Sequence, residues 1–162
     1  MVGAIGVGLV TGLLRRAVTR FEVAEASMSP ALEPGDYLMA ARAGQPDRGR
    51  VVVFDHPRRP SMAMIKRTIG LPGELVEIAS GQVHIDGRAL AEPWANGPTT
   101  GAGSWQLGPD QVFLLGDNRA LSADDSRSLG AVAVEDVQWQ AMFRYWPVSR
   151  LGRLRELEPM KH

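Results

Sequence analysis

Three short segments, far apart along the chain, carry side chains that together could break a peptide bond. They are Ser27-Met28-Ser29-Pro30, Ile65-Lys66-Arg67, and Gly116-Asp117-Asn118-Arg119 continued by Ser122 and Asp125-Ser126-Arg127. A serine hydroxyl is a weak nucleophile at neutral pH and needs an adjacent base to take its proton during attack. Lysine serves as that base only when neutral. Because its ordinary pKa is about 10.4, it must then sit where burial disfavours the ammonium. Read as a strand, Met62, Met64, Lys66 and Thr68 share one face, which sets the amine beside two thioether side chains, and Met28 adds an apolar wall next to the serine. The expected chemistry is acyl transfer with Ser27 as nucleophile and Lys66 as general base. Taken singly, each segment has a plainer use: Ser-x-Ser-Pro as a turn or cap, a lone strand lysine facing water, Gly-Asp-Asn as a turn. Ser–His–Asp chemistry has less support, since His56, His84 and His162 lie in no recognisable nucleophile motif and read as surface residues. No spacing typical of a metal site occurs, so neither a metal nor another cofactor is expected.

Positioning these groups falls to short β-prone runs separated by turn residues: 36–41, 50–56, 62–69, 75–78, 82–85, 111–115 and 138–146. Asp86-Gly87 marks a tight hairpin turn, and Pro72-Gly73 suits a turn that needs positive φ at its glycine. Residues 91–110, rich in Gly and Pro, read as a long surface connection with a short strand around Trp105, and 134–137 as a helical turn. The fold class is therefore mostly β.

Length and charge narrow the function classes. A chain of 162 residues holds one domain with a proper core. Lys+Arg 18 against Asp+Glu 18 gives a formal net charge of zero, which speaks against nucleic acid as a partner. The absence of cysteine removes disulfides, thiolate catalysis and Cys-based zinc sites, and leaves the compartment open. Residues 1–14 carry no charged side chain, after which Arg15, Arg16 and Arg20 follow closely. The run is shorter than the roughly 20 apolar residues of a spanning helix, and Ala4, Gly8 and Gly12 would give such a helix one small-residue face. The expected division is 1–20 as an apolar membrane-associated segment, 21–150 as the catalytic domain and 151–162 as a C-terminal tail. The three arginines lie on the catalytic-domain side, whereas positive charge usually stays cytoplasmic; their stems could snorkel to the headgroups.

The order and flanks of the motifs add a resemblance. Ser27-Met28-Ser29-Pro30-Ala31-Leu32, Pro34-Gly35-Asp36, Lys66-Arg67-Thr68-Ile69-Gly70-Leu71-Pro72-Gly73-Glu74, the Gly116 block and Arg144-Tyr145-Trp146-Pro147 together resemble signal peptidase I, from about Phe21 to Pro147. That resemblance implies a barrel-type β fold, shared with LexA-like proteins, behind an N-terminal apolar helix. It also implies a monomeric serine endopeptidase at the cell membrane, singly anchored, with its active site extracytoplasmic and facing membrane lipid. Its substrates would be signal-peptide-bearing preproteins cut after Ala-x-Ala. It further implies that Ser122 orients the Lys66 amine, that Asp125 and Arg127 form a supporting ion pair, and that Met28, Met64 and Ile65 line the substrate pocket. The chain departs from the family pattern at three places. Two residues, Ala123 and Asp124, stand between Ser122 and Asp125-Ser126-Arg127 where the family has one; Glu25 stands where some members have an oxyanion-hole serine; and only 50 positions separate Lys66 from Gly116, too few for a large cap domain. Rival readings are a maturation protease for one protein, such as a superoxide dismutase precursor, which the arginine placement suits, a self-cleaving LexA-type repressor fragment, disfavoured because no helix-turn-helix precedes Ser27, and an inactive binding module.

Overall fold

Period-two alternation of apolar side chains organises the chain into antiparallel strands whose two faces feed different cores. The computed structural model describes residues 18–154. Its strands are β1 (Val18–Glu22), β2 (Tyr37–Arg42), β3 (Val51–His56), β4 (Arg59–Gly70), β5 (Leu75–Ala79), β6 (Gln82–Ile85), β7 (Arg88–Ala89), β8 (Gly103–Gln106), β9 (Gln111–Leu115), β10 (Val132–Ala133), β11 (Val137–Trp146) and β12 (Gly152–Arg153). All seven runs expected from the sequence coincide with strands, those at 36–41 and 50–56 starting one residue ahead of them, and the strand foreseen around Trp105 is β8. The turn foreseen at 134–137 is a 3-10 turn, Val134–Asp136.

The larger sheet runs β1-β2-β11-β3-β4-β9-β10, with β12 on β11, and the smaller runs β7-β6-β5-β8. In β9, Val112 and Leu114 join a core with Val52, Phe54, Met64 and Val132, while Phe113 and Leu115 join Ile69, Val76, Ile78, Val83 and Leu107 beneath the smaller sheet. In β3, Val51 instead turns to a third core with Val23, Met28, Leu32, Leu38 and Ala141. Strands covered on both faces need continuous apolar runs, which is why Val51-Val52-Val53-Phe54 and Val112-Phe113-Leu114-Leu115 read as they do. The Asp86-Gly87 hairpin forms with both residues at positive φ, 50° and 77°, and Ile85 pairs with Arg88 across it.

The expected barrel meets a different outcome. The larger sheet is open: β1 pairs with β2 and β10 with β9, and a two-residue β10 offers too short a ladder to close a barrel. The N-terminal apolar helix lies outside the described residues, and Val18–Arg20, expected in the membrane-associated segment, begin β1 instead. Among the described residues no helix is long and apolar enough to cross a membrane. Gly152–Arg153, expected in the tail, pair with Phe143 and Arg144 as β12.

Candidate active site

Ser27 sits in a single 3-10 turn, Ala26–Met28, inside a loop whose ends are tied by hydrogen bonds from the Val23 N–H to the Asp36 carbonyl and from the Gly35 N–H to the Val23 carbonyl. Met28 anchors the turn from below: it is 1% exposed, and its carbonyl accepts from the Leu32 N–H at 2.9 Å. Lys66 comes from β4, paired there with Val52 of β3, and the β9 ladder begins at the next residue, Arg67. Its Nζ donates to Ser27 Oγ at 2.8 Å, and both residues are buried, Lys66 2% and Ser27 7% exposed.

Burial pushes the Lys66 amine below its ordinary pKa, because a cation there has lost water. The fields of Asp125, Glu25 and Asp124 pull it back, in that order, and Arg127 adds to the lowering. Its one hydrogen bond among the described residues goes to the Ser27 hydroxyl. The pair therefore presents a hydroxyl against an amine whose charged form burial disfavours, an arrangement that can generate a serine nucleophile.

The Gly116 loop closes the other side of the turn. The Asn118 N–H donates to the Ser27 carbonyl at 3.0 Å. Gly116 is wedged so tightly that a Cβ would lie 2.3 Å from Ser122 Oγ and 2.6 Å from the Ser27 carbonyl oxygen. Ser122 Oγ donates to Asp125 Oδ2 at 2.7 Å, so its hydroxyl proton is committed to that carboxylate and not to the Lys66 amine. Asp125, fully buried, caps the one-turn helix α1 (Ser126–Leu129) by accepting from the Arg127 N–H, and pairs with Arg127 through Nε and Nη2, both at 2.9 Å. Arg127 also donates to the Ser122 and Arg119 carbonyls, which fastens the loop on itself. The extra residue is absorbed outward: the Asp124 carboxylate faces His56 Nε2 at 3.7 Å and Arg59 Nη1 at 3.9 Å, leaving the inner positions to Asp125.

Ser27, Lys66, Ser122, Asp125 and Arg127 thus form one neighbourhood, whereas the expected pocket trio divides. Met28 and Ile65 pack in the same core, but Met64 belongs to the core of Val52 and Phe54, since adjacent strand residues point to opposite faces. Met28 is itself core, with almost no surface to offer. His56 is not on the surface as expected: it is 3% exposed, with Nδ1 accepting from the Arg58 N–H. Glu25 is exposed. Among the described residues no group of His, Asp and Glu converges to hold a metal ion.

Sequence reading missed two buried pairings. Arg67, next to the lysine, donates to both carboxylate oxygens of Asp117, at 2.8 and 2.6 Å, and to the Gly49 carbonyl. Burial raises the Asp117 carboxyl and the Arg67 hydrogen bonds draw it back. Arg119 pairs with Glu92 at 2.7 Å and donates to the Gly116 carbonyl. Charged residues inside apolar motifs were the available signal, since buried charges must find partners.

A buried hydroxyl–amine pair on an open antiparallel scaffold defines a hydrolase-type site. The model of the family "Signal peptidase, peptidase S26" matches residues 1–146, and the chain belongs to that family of peptidases. It is 39% identical over 145 residues to a signal peptidase I of Leptolyngbya laminosa, covering 79% of this chain and 68% of the relative. It is 36% identical over 172 residues to a probable signal peptidase I-2 of Synechocystis sp., covering 94% of this chain and 77% of the relative. Among solved structures, a signal peptidase I from Enterococcus faecalis V583 superposes with a TM-score of 0.51 at 30% identity, covering 58% of this chain and 94% of that one.

Proposed function

We propose that this peptidase removes signal peptides from secreted preproteins, cutting after Ala-x-Ala, with Ser27 as nucleophile and Lys66 as general base. The observation that carries the reading is the buried 2.8 Å contact between Ser27 Oγ and Lys66 Nζ, together with the lowered basicity of that amine. In the forward step Ser27 Oγ attacks the scissile carbonyl carbon while its proton passes to Nζ. The Ser27 backbone N–H is assigned to the developing oxyanion, leaving exposed Glu25 outside the hole. When the tetrahedral species collapses, the C–N bond breaks, the Lys66 ammonium gives its proton to the leaving amine, and an acyl-enzyme remains. Water then attacks that ester, Lys66 takes its proton, and the proton returns to Ser27 Oγ as the acid product leaves.

Ser122, Asp125 and Arg127 support the site by fixing the loop that seats the Ser27 carbonyl. Ile65, half-buried over Met28, is assigned to the wall that reads the residue before the cut, and selection of small side chains there rests on shape. The same reading sets the catalytic domain at the outer face of the cell membrane, beside lipid, with the segment ahead of β1 as a single anchor. The uncharged run 1–14 supports it.

The test is incubation of the detergent-solubilised full chain with a preprotein carrying an Ala-x-Ala site, beside Ser27→Ala, with the new N-terminus mapped by mass spectrometry. Serine-dependent cleavage after the final alanine is expected. Folded protein that leaves this substrate intact would shift the assignment to a maturation protease acting on one protein, the reading favoured by Arg15, Arg16 and Arg20 on the catalytic-domain side.

A further inference from the structure

The loop that presents Ser27 is held within itself by short-range bonds, among them Ser29 Oγ donating to Glu33 Oε2 at 2.6 Å and the Asp36 N–H to the Glu33 carbonyl at 3.0 Å. Residues 29–36 return to β2 with Leu32 as their core side chain, and the carbonyls of Pro30 and Ala31 lie outside the strands. Both are taken up by arginines from the far end of the chain. Arg144 Nη1 donates to the Ala31 carbonyl at 2.8 Å and Arg150 Nη2 to the Pro30 carbonyl at 3.1 Å. The two guanidinium groups meet on Asp36, which is 1% exposed: Arg150 Nη1 lies 3.0 Å from Oδ1 and Arg144 Nη1 3.2 Å from Oδ2. Asp36 Oδ2 also accepts the Glu33 N–H from within the loop at 2.9 Å. Arg144 Nε donates to the Arg150 carbonyl at 2.5 Å, folding the 3-10 turn Val148–Arg150 back over the loop.

We infer that Arg144 and Arg150 are positioning residues for the nucleophile, locking the Ser29–Asp36 arm so that Ser27 is presented to Lys66 at bonding distance. The segment beyond Trp146-Pro147 is then part of the working enzyme. Arg150 spends separate nitrogens on the carboxylate and on a loop carbonyl, and Arg144 shares Nη1 between them, so the loop's position as well as its charge is specified. Loss of either contact frees the arm to shift, and misplacement of a nucleophile on the ångström scale lowers turnover steeply while leaving distant substrate contacts in place.

The inference rests on the Ser27–Lys66 reading, and the experiment separates the two. The full chain, Ser27→Ala, Arg150→Ala and Arg150→Lys are compared for kcat and KM on an Ala-x-Ala peptide, per folded molecule, with Tm recorded. Arg150→Ala should lower kcat about tenfold with KM held within about twofold. Lysine can keep the Asp36 contact but cannot also reach the Pro30 carbonyl, so Arg150→Lys should fall between, about threefold down. Arg150→Lys with wild-type kcat overturns the inference even where Arg150→Ala does not fold, and so does a loss confined to Tm. Ser27→Ala as active as wild type overturns the reading beneath it.

Discussion

Two buried cations sit side by side on β4, and the protein treats them in opposite ways. Arg67 meets a carboxylate through two parallel hydrogen bonds and adds a backbone carbonyl, so its charge is kept and spent on holding the Gly116 loop to the sheet. Lys66, as deeply buried, meets a hydroxyl and stands in the longer-range fields of Asp125, Glu25, Asp124 and Arg127. A paired charge stays charged; a cation buried without a bonded carboxylate gives up its proton more easily. One strand thereby supplies a structural pin and a base at successive positions.

The largest effects should separate these roles. Ser27→Ala and Lys66→Met should each lower kcat by roughly 10⁴-fold or more, because each removes half of one proton-transfer unit. Thermal unfolding should show both variants folded, since Lys66→Met replaces a desolvated cation with an apolar chain. Arg67→Met should do the reverse to stability: it strands the Asp117 carboxylate in the interior and should cost about 3–5 kcal/mol in denaturant unfolding. If Arg67→Met proved as mild as Lys66→Met, the contrast between pin and base would fail. Gly116→Ala comes next. Its Cβ would press on Ser122 and on the Ser27 carbonyl, so a stability loss of about 1–3 kcal/mol together with reduced kcat is expected.

The smallest effects lie in pH dependence. Activity needs neutral Lys66, so kcat/KM should rise with pH through the lowered pKa of that amine, below the ordinary lysine range. Asp124→Asn removes a field that raises this pKa and should slide the acid limb to lower pH. For stability, the unfolded chain holds a proton on Lys66 up to the ordinary lysine pKa while the folded chain releases it earlier. Stability should therefore rise with pH between the lowered folded value and about 10.4, and be flat over that window in Lys66→Met.

The strands and the Ser27–Lys66 encounter were legible because alternation, turn residues and motif order are local or sequential signals. The Asp36–Arg144–Arg150 clamp joins residues more than a hundred positions apart, and nothing in periodicity encodes such a pairing. Glu92 in the long connection was likewise unreadable as the partner of Arg119. Met64 parts from Met28 and Ile65 for a reason visible in the sequence itself: Met64 and Ile65 are adjacent on a strand and point to opposite faces. Ser122 was expected to bond to the lysine, whereas its hydroxyl donates to the buried Asp125 carboxylate. The expectation of a barrel followed the family likeness, and the two-residue β10 leaves the described sheet open.

Lysine is rare in this chain: the sequence holds Lys66 and Lys161, against 16 arginines. The lysine side-chain carbons can therefore be labelled and followed by NMR across pH in the intact protein, with Lys66→Met assigning the signals. The account predicts that Lys66 titrates below the ordinary lysine range, at the same pH as the acid limb of kcat/KM. A Lys66 signal that titrates together with Lys161, near the ordinary lysine value, would contradict it.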